Sequence, residues 1–319
     1  MKKAGIRGEI LPWRDVLHDG PVPPGFGLVE LSGIRAGYLA ASGMGEQNRI
    51  ASDFAIRDSV LERFATYDSV TLWFEWDLYD QLQLIQILDF LSRAADTAPA
   101  SAPALEIVSM AGYLGALPFE SFPALYEGRA PVTSDMLSLG HSAWIAFTSS
   151  EPYDIAALIA TDTDALPFLS AALVRLLEEL PSTRDGLARS ERQLLQGIAA
   201  GKSRFGDLFR DFSNREQRIY CGDASAASYL ERLSRGSDPL VLYPSGERVS
   251  APRNPADQEA FRHVELRLTE TGRAVLAGDR DWIEMGGSNR WLGGMHLDGR
   301  DAAWRWNPDT RTVTGVGVS

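Results

Sequence analysis

The chain has 319 residues, 45% apolar and 23% charged, the mix of a folded chain with room for about two cores. A formal net charge of −12 argues against a surface that tracks a nucleic-acid backbone. The single cysteine, Cys221, excludes an internal disulfide framework and a Cys-based zinc site. The charge is uneven: residues 183–282 hold 16 Lys/Arg against 15 Asp/Glu, and the rest of the chain 15 against 28. No apolar run approaches the ~20 residues of a membrane helix, and the N-terminus has no signal-peptide core, so a cytoplasmic protein without membrane contact is expected.

In chain order, Met1–Arg7 reads as the tail of a helix and Gly8–Trp13 (GEILPW) as a short strand, with Pro12 confined to its end or to a sheet edge. Arg14–Gly25 has three prolines and two glycines and reads as an ordered loop. Helices are expected over Leu28–Ser42 and Glu46–Phe64. Val70–Phe74 is a short apolar run rich in β-formers, which suits a strand buried on both faces at the centre of a parallel sheet. Leu78, Leu82, Ile85 and Leu88 then recur at helical spacing, so Val70–Leu91 forms a strand, an acidic turn and a helix.

An Ala/Pro/Ser-rich link over Ala95–Ala104 leads to a strand at Leu105–Met110 and a turn at Ala111–Gly115. Leu125–Leu139 reads as a loop with a short helix, and Ser142–Phe147 fits a strand or a helix start equally. Ile155–Ala160 and Leu166–Leu180 are expected helices. This alternation indicates a parallel sheet covered on both faces, a Rossmann-like three-layer sandwich over residues 1–181.

From residue 182 the pattern changes. Helices at Ser190–Ala200, Phe205–Phe212 and Ala224–Leu233 precede strand-like Leu240–Tyr243 and Glu265–Leu268, joined by a polar, Pro-containing hairpin. A helix over Thr269–Ala277, ended by Gly278, completes what resembles a winged helix-turn-helix. Its third helix offers Asp223, Ser225, Ser228, Tyr229, Glu231, Arg232 and Arg235, poor equipment for approaching phosphates. Such modules also dimerise or dock proteins, so a homodimer or a docking role is open to it. Trp282–Ser319 holds four of the eight tryptophans and is expected to dock back onto a domain.

Candidate chemistry collects at the strand ends, where open α/β sheets bind ligands. Glu75, Asp77 and Asp80, with Asp15 and Asp19 from the other loop, could hold a Mg²⁺ ion. The competing reading makes Asp77 a helix cap and Asp80 a favourable first-turn acid. His18, between Asp15 and Asp19, is the best single candidate for general acid–base work, with Glu75 and Asp15 beside it; alternatively it only fixes the Gly20–Pro21 turn. Arg14, Gly20, Asp77, Asp80 and Gln81 complete a candidate ligand-binding set. His141, His263 and His296 are isolated, Ser109 lacks a G-x-S-x-G elbow, and Cys221 reads as a buried apolar residue. Neither GxGxxG nor GxxxxGK[ST] occurs, so no cofactor is indicated. The leading expectation is a small molecule or nucleotide phosphate bound between Arg14–Gly20 and Glu75–Gln81, with catalysis left open. The alternative is a regulator contacting DNA or protein through the C-terminal domain.

Six stretches, GEILPWRDVLHDGPVP, LWFEWDLYDQLQLIQILDFL, PVTSDMLSLGHSAWIAF, RDGLARSERQLLQGIAAG, LTETGRAVLAGDRDW and RWLGGMHLDGRDAAWRWN, resemble the bacterial domain-of-unknown-function 1835 family over nearly the whole chain. The resemblance implies no particular activity. It does imply a strand and a Gly-Asp-Ser turn ahead of the first helix. Their absence here points to an upstream start or to a sheet short of one strand. It also implies a histidine where this chain has Trp76, which weakens the case for catalysis at that turn.

Overall fold

The computed structural model describes residues 2–95, 103–287, 289–301 and 304–315. The first half runs β1 (Gly20–Pro21), α1 (Leu28–Ala41), α2 (Gln47–Glu62), β2 (Ser69–Phe74), α3 (Leu78–Ala95) and β3 (Ala104–Ser109). It continues with α4 (Phe122–Glu127), β4 (Ala130–Pro131), α5 (Ser134–Thr148), α6 (Pro152–Ile159) and α7 (Leu169–Leu177). The second half holds α8 (Arg189–Ala199), α9 (Phe205–Arg215), α10 (Asp223–Leu233), β5 (Val241–Leu242), α11 (Pro255–Phe261), β6 (Arg267–Leu268) and α12 (Glu270–Ala277). Two hairpins close the described chain: β7 (Asn289–Gly293) with β8 (Met295–Asp298), and β9 (Trp304–Asn307) with β10 (Thr312–Gly315). The fold is mixed α/β, with small sheets among many helices.

β2 and β3 pair in parallel from Ser69↔Ala104 to Phe74↔Ser109, and β4 adds antiparallel on the far side of β3. Among the described residues β2 is therefore an edge strand and not a central one. Its neighbours are chosen by non-local pairing, which the apolar run cannot report. The helical spacing after it does form α3, whose Leu78, Leu82, Ile85 and Leu88 are buried. α5 lies flush against α3 because Gly140 has no side chain: a Cβ there would sit 2.4 Å from Leu88 Cβ. Ser142–Phe147 is part of α5, so the helical alternative holds.

Gly8–Trp13 forms no strand, and before it only Lys2–Ala4 makes a single 3₁₀ turn. GEILPW is apolar enough for a strand, but Pro12 lacks a donor, and among the described residues no neighbouring backbone pairs with the segment. The link over Ala95–Ala104 falls largely at residues 96–102, outside the described residues.

In the second half the expected helices and the β5–β6 pair form. A helix interrupts the expected hairpin: Asn254 Oδ1 accepts from Asp257 N–H at 2.9 Å and Pro255 occupies the first turn of α11, an ordinary Asn–Pro helix start. α12 ends at Gly278 with φ 82°, as its glycine suggests. The Trp-rich C-terminal region docks back. β7 pairs in parallel with β1, and the β9–β10 hairpin is tied down by Thr183 N–H to Trp306 O (2.9 Å) and Trp306 N–H to Pro181 O (2.8 Å). One continuous core runs from Ile85 and Leu88 of α3 through Leu173 and Leu176 of α7 to Leu194 and Leu230. Among the described residues no helix is long and apolar enough to cross a membrane.

Candidate functional site

A groove of about 430 Å³ runs along the outer edge of β2 and reaches Phe74, Asp80 and Gln83 at the strand's carboxyl end. All six consecutive residues of β2 line it. A strand presents alternate side chains to each face, so an unbroken run means that its backbone edge faces the groove. The hydrogen bonds agree. Ala104 N–H donates to Asp68 O and Met110 N–H to Phe74 O, so even-numbered carbonyls turn toward β3 and those of Ser69, Thr71 and Trp73 turn outward. The opposite wall is Ile6–Trp13, again every residue in succession. Among the described residues this wall makes no backbone hydrogen bond. Side chains hold it: Tyr67 Oη donates to Glu9 at 2.5 Å, Trp13 Nε1 donates to Gln86 at 2.9 Å, and Arg57 lies over the Trp13 ring at 4.1 Å.

The acidic turn at the carboxyl end is knotted on itself. Asp77 Oδ1 accepts from Asp80 N–H (3.2 Å), the helix-cap contact. Asp80 Oδ2 accepts from Glu75 N–H (2.6 Å), Gln81 Nε2 donates to Glu75 O (2.7 Å), and Glu75 Oε1 accepts from Leu114 N–H (2.6 Å). Burial, with Asp80 nearby, pushes the Asp77 carboxyl up to about 7. Burial also raises Glu75 and Asp80. Among the described residues no group of three or more His, Cys, Asp or Glu converges as an ion would require. The Mg²⁺ arrangement therefore does not assemble. Trp76 is a packing residue here, edge-on to Tyr113 and Phe168, with Arg218 at 4.9 Å over its ring.

The other loop is organised by a residue that the sequence pattern passes over. Arg35, fully buried on α1, grips the Asp15 carboxylate (2.8–3.1 Å) and donates to the carbonyls of Val16, Asp19 and Pro21. Gly20 has φ 83°, and a Cβ there would meet the Tyr38 ring at 2.4 Å, so the turn into β1 requires glycine. His18 is buried between Tyr79 (6.1 Å) and Tyr220 (4.9 Å), 3.8 Å from Asp19, and among the described residues neither ring nitrogen has a hydrogen-bond partner. Burial lowers its pKa in spite of Asp19, so the ring is neutral at pH 7. Asp19 accepts from Tyr229 Oη at 3.0 Å, and Gln83 Nε2 donates to Asp15 O at 3.2 Å. Arg14 is exposed.

The two turns thus meet through α3, by Tyr79 and Gln83, but the proposed acid–base group is divided among other partners. Asp15 belongs to Arg35, Glu75 to the Leu114 amide, and His18 to the tyrosines. The second half covers the carboxyl ends of the strands: Arg218 donates to Trp76 O (3.0 Å), and Ile219 N–H donates to Tyr113 Oη. Behind it, Arg175 binds Glu179 and Glu216. Burial would raise Glu179, but Arg175 and Arg290 hold it down at about 2. Arg35 and Arg175 each sit within apolar helical runs (SGIRAGYL, LVRLL), where a lone arginine signals a buried acidic partner. On α10, Tyr229, Leu230 and Leu233 are buried, and Arg232 stacks over Tyr229 at 4.5 Å. The helix faces the rest of the chain. Cys221 is buried and its thiol pKa is raised by that burial. Compared with known proteins, the chain matches no family model, no curated protein and no solved structure.

Proposed function

We propose that this protein binds an elongated small molecule in the groove beside β2, apolar along its length and carrying a cationic or hydrogen-bond-donating group at one end. The observation that carries this reading is the groove itself: about 430 Å³, within the usual range for ligand sites, and reaching Asp80 and Gln83 at the carboxyl edge of the sheet. Val60, Leu61, Phe64 and Ile87 supply apolar wall. A nucleotide phosphate is the weaker candidate, because Glu75, Asp77 and Asp80 crowd the helix N-terminus that a phosphate would otherwise use.

The N-terminal half is read as a small Rossmann-like sandwich, and residues 182–319 as a winged-helix-like unit. α8, α9 and α10, the β5–β6 pair and the bridge between Arg204 and Glu265 support the second assignment. Membership of the domain-of-unknown-function 1835 family is proposed on the motifs quoted above. A DNA-binding regulator has less support, since Tyr229 of α10 is engaged with Asp19.

The test is a calorimetric titration with primary n-alkylamines from butyl to octyl. Affinity is expected to rise roughly fourfold per methylene, the equivalent of ~0.8 kcal/mol, and to fall several-fold in Asp80→Asn. Equal affinity across the series, or adenosine monophosphate binding more tightly than octylamine, would overturn the reading.

A further inference from the structure

We propose that His18 is an acid-operated switch on the contact between the 15–21 loop and α10: when its ring takes up a proton, the Asp19 carboxylate passes from Tyr229 to His18. None of these three residues lines the groove beside β2, so the switch stands whatever the groove binds. His18 is buried, and among the described residues both of its ring nitrogens lack a hydrogen-bond partner. Buried polar groups are almost always paired, so two orphaned nitrogens on one ring are exceptional. Asp19 Oδ2 lies 3.8 Å from Nε2, too far for a hydrogen bond, and already accepts from Tyr229 Oη of α10 at 3.0 Å.

The groups around the ring decide where a proton on it turns. Arg35 of α1 is bound to Asp15, and Arg175 of α7 to Glu179 and Glu216. Glu179, just past α7, also accepts from Ser190. Tyr79 of α3 and Tyr220, ahead of α10, meet the imidazole ring to ring. Asp19, on the same loop as His18, differs from the other acids: its Oδ2 is engaged by a neutral hydroxyl. An imidazolium displaces that hydroxyl, because a charge-assisted hydrogen bond is roughly twice as strong as a neutral one. Closing the gap by about 1 Å brings Nε2 to hydrogen-bond distance of Oδ2. Tyr229, itself buried, then loses its Asp19 acceptor, and α10 is no longer tied to the 15–21 loop through this bond. Burial lowers the ring's pKa against the pull of Asp19 and Glu179, with Arg35 and Arg175 adding to the lowering, so the exchange falls below pH 6.5.

The experiment follows the full chain, isotope-labelled at histidine and tyrosine, by NMR from about pH 7.5 to 4.5. His18→Gln identifies the His18 signal among the four histidines, and Tyr229→Phe identifies Tyr229. The two ring signals are expected to shift together, with one midpoint below pH 6.5. In Tyr229→Phe the His18 midpoint is expected to rise by at least about half a pH unit, because Asp19 has no hydroxyl to give up. In His18→Gln the Tyr229 step is expected to vanish. A Tyr229 signal that stays put while His18 titrates, or a step that persists in His18→Gln, would overturn the proposal. So would an unchanged His18 midpoint in Tyr229→Phe, a ring that stays neutral throughout the titration, or a chain that unfolds before the ring titrates. Should His18→Gln fail to fold, the Tyr229→Phe midpoint decides alone.

Discussion

Arg35→Met lowers the unfolding free energy by about 3–5 kcal/mol, the usual cost of breaking a buried ion pair from one side. Arg35 is fully buried, and its guanidinium holds the Asp15 carboxylate and three carbonyls of the 15–21 loop. Removing it strands a charge and several acceptors in the interior. Lysine does not substitute, because one ammonium cannot present the planar fork whose Nε and Nη2 hold Asp15 while Nη1 reaches the Asp19 and Pro21 carbonyls. The double variant Asp15→Leu/Arg35→Met is expected to recover only part of the loss, since the carbonyls of Val16, Asp19 and Pro21 still lack their donor. Urea denaturation of the two single variants and the double variant measures this; a loss under about 1 kcal/mol in Arg35→Met, the range of an exposed pair, would contradict it.

Asp77→Asn acts in the opposite direction and depends on pH. The Asp77 carboxyl titrates at about 7 in the fold against an ordinary value of 3.8. Between those limits the folded chain holds a proton that the unfolded chain releases. Stability therefore falls as pH rises through this window, by up to about 4 kcal/mol at ~1.36 kcal/mol per unit. Asparagine keeps an acceptor for the Asp80 N–H and cannot ionise. The variant should match wild type near pH 4 and exceed it by about 2–4 kcal/mol at pH 8. A plain surface cap predicts no gain at pH 8, and that outcome in pH-resolved denaturation would refute the assignment. His18 contributes the reverse slope: its folded pKa lies below 6.5, so its share of stability is present above 6.5 and is lost as pH falls through the folded value.

Local pattern reports some of this structure and non-local pairing hides the rest. The strand, acidic turn and helix over Val70–Leu91 are legible because an apolar run and a 3.6-residue period are local signals. That β2 is an edge strand among the described residues is not, because its neighbours are set by Ala104–Ser109 and by what, among those residues, fails to pair on the other side. GEILPW reads as a strand for the same reason: composition records apolarity and not the presence of a partner. The helix at Pro255–Phe261 is readable from Asn254 and Pro255 but lies inside an expected hairpin. Within the site, Asp15, His18, Glu75 and Asp77 stand out by position after predicted strands. The groups that set their chemistry come from distant chain, Arg35 twenty residues from Asp15 and Tyr229 on the other half from Asp19.

The central claim is that, among the described residues, the outer edge of β2 has no main-chain partner and borders the groove. Amide hydrogen exchange resolved along Ser69–Phe74 tests it most directly. In the free protein the amides of Val70, Leu72 and Phe74 should be protected by β3, and those of Thr71 and Trp73 should exchange much faster. Uniform protection along β2 in the free protein would contradict the account.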